Sequence, residues 1–478
     1  MKLNDNIDCP LLNAAKNHPQ KTAVFWGSRR ISFLQLHQYV NATVRSLKER
    51  DIRSGQRVAL VADNSVEALI VCWGLWRLGV VVCPINPRFP IERIKNILEL
   101  LDVRAVVYAR TSSTGPLKGP WSIFEITDLI VFEHKEVADA LDQKQHQFGS
   151  GQAAVIVLTS GTTTQPKAAV LTFGNLYFNA SGSNDVIPVF HDSVWLLSLP
   201  LFHVSGLGII WRCVLAGAAI RISAQEDLLR LVGEGKATHV SLVLTQLVRL
   251  CEKAAVPNQL KVVLLGGSSF PSHVLSQALE AGLPIYLSYG LTEMASQVAT
   301  GRLKDINTGC ARLLPYREMK IDAHGEICLR GPTLFSGYLN RKDITRPVDS
   351  EGWFHSGDLG LLDAHGCLKV LGRRDDMFIS GGENIHPQEI ESILGQIPGI
   401  LQVVVVPRED AQFGQRPVAF IQWDNLQPSW SESKMIEHLL AKLPKFKIPC
   451  AFYPWPADVQ QGIKINRQFL KQRANASK

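Results

Sequence analysis

The sequence predicts an α/β protein: a large N-terminal domain of stacked sheets with a β-rich subdomain, and a small α+β C-terminal domain. Three observations carry that expectation. Apolar strand-like runs ("RVALVAD", "GVVVCPI", "RAVVYA", "AAVIVL", "VWLLSLP", "THVSLVL") alternate with helix-like stretches such as "SVEALIVCWGLWRL", the pattern of buried sheets covered by helices. From Leu313 to Val370 the texture turns to short strands, with "DAHGEICLRG" and "DAHGCLKVLG" each reading as a hairpin. Finally, 478 residues exceed the roughly 250 to 300 at which a single hydrophobic core stops growing.

Taken in chain order, the N-terminus "MKLNDNIDCPLLNAAKNHP" lacks the basic start and apolar run of a secretory signal, so a cytoplasmic protein is expected. The longest apolar stretch, Ala68 to Ile85, is interrupted by Arg77 and Gly79 and is too short to cross a bilayer. It reads as a buried helix ending near Gly79, then a strand, and no membrane span is expected. The charged stretch "GRRDDMF" at Gly372 to Phe378 marks a boundary. Beyond it Pro387 stands at the first position of a helix, "PQEIESIL", followed by strands at "QVVVVP" and "PVAFIQW". The expected division is a domain at 1–371, a hinge at 372–376 and a second domain at 377–478.

A hydrophobic content of 46% with 19% charged residues is globular and argues against disorder. Nine cysteines with no CxxC pair suggest neither a disulfide framework nor a zinc site, and are expected to be reduced. The net charge is +7, and Ala441 to Lys478 holds eight Lys/Arg against one acid, Asp458. That basic tail lacks the repeated aromatic and basic pattern of a single-strand binder, so no nucleic-acid partner is expected; a polyphosphorylated small molecule suits it as well.

"VLTSGTTTQPKAAV", Val157 to Val170, empties a strand into a hydroxyl-rich turn. It is not a Walker A loop, because Pro166 precedes Lys167 and Ala168 follows it. Its hydroxyls and backbone N–H groups suit phosphate oxygens, with Lys167 as a point charge; an ordinary polar surface loop is the alternative when this stretch is taken alone. Five further stretches follow: "YGLTE" (Tyr289 to Glu293), "GWFHSGDLG" (Gly352 to Gly360), "GRRDDMFISGGENIHPQEIE" (Gly372 to Glu391), "FGQRP" (Phe413 to Pro417) and "GIKINR" (Gly462 to Arg467). In this order they resemble the acyl-adenylating superfamily of acyl-CoA synthetases, luciferases and adenylation domains, over essentially the whole chain.

The resemblance implies ATP, Mg²⁺ and coenzyme A as cofactor and co-substrates, and it assigns roles. Thr159, Ser160, Gly161, Thr162, Thr163 and Lys167 match the loop that holds the β- and γ-phosphates, although Thr164 and Ala168 stand where glycine is usual or common. A threonine restricts the loop wherever positive φ is needed. Thr292 and Glu293 match the residues at the α-phosphate, with Glu293 and Thr162 at the metal, since a hard cation on phosphate oxygens takes a carboxylate. Tyr289 matches the aromatic that packs on adenine, beside Gly290 and the backbone of Gly266, Gly267 and Ser268. Asp358 and Arg373 match the ribose-binding pair, and a carboxylate can accept both hydroxyls of a vicinal diol.

Lys464 matches the catalytic lysine. When a carboxylate attacks the α-phosphate two anions approach, and a cation reaching both is worth several kcal/mol. Asp375 matches the hinge about which a mobile C-terminal domain swings, bringing Gly381 and Gly382 toward the arm of coenzyme A.

For the acid, "WLLSLPLFHVSGLGIIWR" (Trp195 to Arg212), "LLGG" and "GIKI" resemble the o-succinylbenzoate-CoA ligases. His203 and Ser205 then line the acyl pocket. Arg212, in an otherwise apolar run where an unpaired guanidinium is costly, would hold the aromatic carboxylate of o-succinylbenzoate; an internal ion pair is the alternative. The motifs also leave open another aryl- or fatty acyl-CoA ligase, a stand-alone protein that loads a carrier, and a non-catalytic relative that has kept the fold. The resemblance further implies a homodimer through the large domain.

Overall fold

The computed structural model describes residues 5–109, 119–130, 132, 147–159, 167–222, 228–252, 258–267, 270, 272–304, 311–340, 343–424, 430–457 and 467–476. Two large sheets dominate the part before residue 372. The first has eight strands among the described residues, in the order Asp343–Thr345, Gly337–Asn340, Lys167–Thr172, Ala153–Thr159, Val81–Ile85, Arg57–Val61, Ala105–Tyr108, Ser122–Glu125. From Ala153–Thr159 onward the pairs are parallel. Their near-continuous apolar composition follows, because such strands are covered on both faces.

The second sheet has thirteen strands among the described residues. Its parallel half contains Thr22–Trp26, Ala219–Ile222, Val194–Leu196, His239–Leu242, Val262–Leu265 and Ile285–Leu291. From Ile285–Leu291 outward it turns antiparallel through Ser296–Arg302, Ala311–Leu313, Cys367–Arg373, Phe354–Leu362, Glu326–Arg330 and Glu318–Ile321. The β-rich stretch is thus hydrogen-bonded directly onto the parallel half. Its two similar hairpins close alike: Asp322 Oδ1 accepts from the N–H groups of His324 and Glu326, and Asp363 Oδ1 from those of His365 and Cys367.

The apolar stretch after Ala68 is a buried helix, Val66–Arg77, followed by the strand Val81–Ile85. The helix packs on the first sheet, and the helix Val204–Ala216 packs on the second. They meet through Trp73, Trp76 and Trp211, whose ring centroids lie 5.2 to 5.5 Å apart, at spacings where aromatic pairs contribute beyond their buried area. Among the described residues no helix is long and apolar enough to cross a membrane.

After the turn Arg374–Asp376 the chain builds separate apolar clusters. One joins Phe378, Ile390, Val405 and Leu439; the other joins Val404, Phe420 and Leu470. Pro387 opens the helix Pro387–Leu394. Ile400–Asp410 and Gly414–Trp423 form an antiparallel hairpin, and Phe452–Pro454 joins parallel to the second of them after the helix Glu432–Leu440. Cysteine chemistry departs from expectation. Seven cysteines are free among the described residues, but Cys367 is disulfide-bonded. Spacing along the chain carries no information on whether two Cα atoms come within bridging distance.

Candidate active site

In open α/β sheets ligands bind beyond the carboxyl ends of parallel strands. Here that edge collects Leu197 to His203 after Val194–Leu196, Gly266 and Gly267 after Val262–Leu265, and Tyr289 to Glu293 at the end of Ile285–Leu291. The antiparallel extension then folds Asp358 and Arg373 against it as register partners.

Three expected residues meet there. The Tyr289 hydroxyl donates to Asp358 Oδ2 at 2.7 Å, and Arg373 Nη1 donates to Asp358 Oδ1 at 2.9 Å and to the Ser356 carbonyl at 2.9 Å. Burial, then the Asp358 charge, pushes the Tyr289 phenol well above its ordinary range, so it stays a donor. Burial opposes the Arg373 charge, but Asp358 outweighs it and holds the guanidinium protonated. Gly290 is a site of close approach: a Cβ there would stand 2.0 Å from the Ser296 carbonyl oxygen, so no other residue fits beneath the motif.

The turn Thr292–Met294 carries Thr292 and Glu293. Glu293 Oε1 accepts from the Tyr338 hydroxyl at 2.5 Å, and its carbonyl accepts from Phe335 N–H at 2.8 Å. Lys167 Nζ lies 5.0 Å from the Tyr338 ring centroid, so Lys167, Tyr338 and Glu293 share one neighbourhood. Tyr338 was not foreseen, and only the Gly-Tyr at the start of its strand hints at it. Past the turn, Ala295 and Ser296 take φ of +58° and +131°, conformations that cost non-glycine residues and cluster at functional sites.

Thr159 and Lys167 are register partners on neighbouring strands, so the two flanks of the hydroxyl-rich stretch lie side by side at one end of those strands. Within it Ser160, Gly161, Thr162, Thr163 and Thr164 lie outside the described residues, as do Ser268 and Lys464. Ala168 is an ordinary buried strand residue opposite Leu158 and Leu339, a position with no call for glycine.

His203 and Ser205 stand at the N-cap and first turn of Val204–Ala216, both half-buried, with the His203 ring 4.9 Å from Phe202. Arg212, further along this helix, is 1% exposed. Nε donates to the Gly208 carbonyl at 3.0 Å, Nη1 reaches Gln297 Oε1 and Ser183 Oγ, and the guanidinium lies 4.7 Å from the Trp195 ring centroid. Burial pushes its pKa down to about 10. Among the described residues no carboxylate pairs with it, so the expected alternative of an internal ion pair is not found there.

Asp375 occupies the turn Arg374–Asp376 with its carboxylate 3.8 Å from Arg373 Nη2. Arg374 pairs with the buried Glu326 at 2.5 Å. Gly381 and Gly382, at φ of +59° and +90°, make the two-residue turn between Phe378–Ser380 and Glu383–Ile385. Arg467, just after the segment that holds Lys464, pairs with Glu391 at 2.6 Å and Asp376 at 3.1 Å.

An AMP-binding enzyme family model matches residues 11–339, and the AMP-binding enzyme C-terminal domain matches residues 389–458. A 2-succinylbenzoate–CoA ligase of Bacillus cereus is 32% identical over 97% of this chain and 98% of its own. The o-succinylbenzoate CoA synthetase of Bacillus subtilis in complex with the acyl-adenylate intermediate OSB-AMP superposes with a TM-score of 0.86 at 28% identity, covering 98% of both chains. The same enzyme with ATP and magnesium ion gives 0.83 at 28% identity, over 94% of this chain and 96% of that one. The chain belongs to the AMP-binding enzyme family.

Proposed function

We propose that the chain is a 2-succinylbenzoate–CoA ligase, which couples ATP cleavage to thioester formation in two steps. In the first, the aliphatic carboxylate attacks the α-phosphate of ATP, giving an acyl adenylate and pyrophosphate; in the second, the thiol of coenzyme A attacks the acyl carbon and AMP leaves. The observation that carries this reading is the buried Arg212 guanidinium, which reaches Gln297, the register partner of Gly290 in the adenylate motif, and is held only by neutral groups among the described residues. A buried charge without a counter-ion is costly, and an acid with a second carboxylate supplies one.

The remaining roles are those that the motifs imply, supported by the geometry where the residues are described. Asp358, held by Tyr289 and Arg373, presents its carboxylate to the ribose hydroxyls. Lys167 faces the outer phosphates. Glu293 would hold Mg²⁺, with Thr162 as the expected second ligand, and the donor set is apt, since one carboxylate plus phosphate oxygens is how this cation is commonly bound; when present it neutralises phosphate charge. Lys464 supplies the cation that meets both approaching anions. His203 and Ser205 line the acyl pocket. The chain divides at 372–376, with 1–371 binding ATP and acid and 377–478 bringing Lys464 and then Gly381 and Gly382 to the site; the separate apolar clusters on either side support this. Pyrophosphate release with 2-succinylbenzoate, benzoate and a fatty acid in competition tests the assignment. The dicarboxylate should have the highest kcat/KM, and a monocarboxylate winning would overturn it.

A further inference from the structure

Arg212 is not the only buried cation beneath the adenylate motif. Arg317 is 6% exposed; its Nε donates to the Gln297 carbonyl at 3.0 Å, its Nη2 to the Asn179 carbonyl at 3.1 Å, and its Nη1 to the Pro315 carbonyl. No carboxylate pairs with either guanidinium among the described residues, and Asp185 acts on Arg317 only from a distance. Burial and then the Arg212 charge push the Arg317 pKa down to about 9. Two positive charges thus bear on one residue, Gln297, itself 3% exposed.

The Gln297 amide has a single orientation. Oε1 accepts from Arg212 Nη1 and from Ser183 Oγ at 2.7 Å; Nε2 donates to Thr300 Oγ1 at 2.8 Å and Ser288 Oγ at 3.3 Å. Gln297 is also the register partner of Gly290, which puts it directly behind the adenylate motif. A Cβ on Gly208 would stand 3.1 Å from Arg212 Nη2 and 3.7 Å from Ser296 Oγ, so the glycine leaves room beside the guanidinium. A glutamate has the same length and shape as glutamine and would neutralise these cations as a buried ion pair. The chain instead carries the uncharged isostere.

We propose that Gln297 is a specificity-determining residue: it orients Arg212 through a neutral amide oxygen and so reserves the guanidinium charge for the second carboxylate of the acid. This rests on the reading of Arg212 given above, and the experiment separates the two. KM and kcat are measured by pyrophosphate release for 2-succinylbenzoate and for 4-oxo-4-phenylbutanoate, the same acyl chain without the aryl carboxylate, with wild type, Gln297→Glu and Arg212→Gln. Gln297→Glu should raise KM for the dicarboxylate about tenfold or more, with kcat within about twofold and KM for the monocarboxylate not raised.

If Arg212→Gln loses the dicarboxylate preference while Gln297→Glu keeps it, the Arg212 reading stands and the role of Gln297 is overturned. If Arg212→Gln also keeps it, both fall. Should Gln297→Glu fail to fold, Gln297→Met supplies the uncharged comparison. It removes the orienting amide oxygen without adding charge, so it should weaken the preference about threefold or more, and an unchanged preference overturns the role of Gln297.

Discussion

The phenol of Tyr289 donates to Asp358 Oδ2 across 2.7 Å, joining the strand that leads into Thr292 and Glu293 to the strand paired with Arg373. One carboxylate thereby organises an aromatic ring and a guanidinium before any nucleotide arrives. Asp358→Ala should lower kcat/KM for ATP about 10- to 100-fold, since it removes a charge-assisted acceptor and leaves two part-buried donors, Tyr289 and Arg373, without it. Steady-state kinetics at saturating acid and thiol check this, with the thermal midpoint as the control for folding.

Tyr338→Phe removes the hydroxyl that fixes Glu293 Oε1. The expected cost is one hydrogen bond to a charged group, about 1.5 to 3 kcal/mol. It should appear as a higher Mg²⁺ concentration for half-maximal activity, read from a magnesium titration at fixed ATP.

Lys464→Ala should separate the half-reactions. Pyrophosphate release should fall by about three orders of magnitude or more, while thioester formation from a preformed acyl adenylate and coenzyme A should stay close to wild type. Equal losses in both assays would contradict the proposed domain swing.

His239 is fully buried, with Nε2 on the Pro188 carbonyl at 3.1 Å and Nδ1 on Thr238 Oγ1 at 2.8 Å. Burial pushes its pKa from 6.5 down to about 4. Between those values the unfolded chain binds the proton and the folded chain does not. Stability is therefore full above about pH 6.5 and falls as pH drops toward about 4, by up to roughly 3 kcal/mol from this group. Urea unfolding across that window should show the slope, and His239→Asn should flatten it.

Much of this was legible in the sequence because the informative residues sit in short contiguous motifs. Strand ends such as "YGLTE" combine an apolar run with a polar terminus, and strand pairing sets Asp358 opposite Arg373. The order of the strands was not legible, because pairing of Ala311–Leu313 with Cys367–Arg373 depends on contacts far apart in the chain. The same limit hid the Cys367 disulfide, the Tyr338 partner of Glu293, and Gln297 with Arg317. Each is an unremarkable residue in its own stretch and acquires meaning only from a neighbour on another strand. Arg212 was legible for the opposite reason: a charge in an apolar helix is conspicuous without any fold.

The most direct test of the account is mass analysis of the products formed from 2-succinylbenzoate, ATP, Mg²⁺ and coenzyme A. The account predicts AMP, pyrophosphate and the 2-succinylbenzoyl thioester of coenzyme A in equal amounts, formed by Lys464→Ala about three orders of magnitude or more slowly. ADP in place of AMP, or ATP left intact while the same protein forms a thioester from benzoate or a fatty acid, would contradict it.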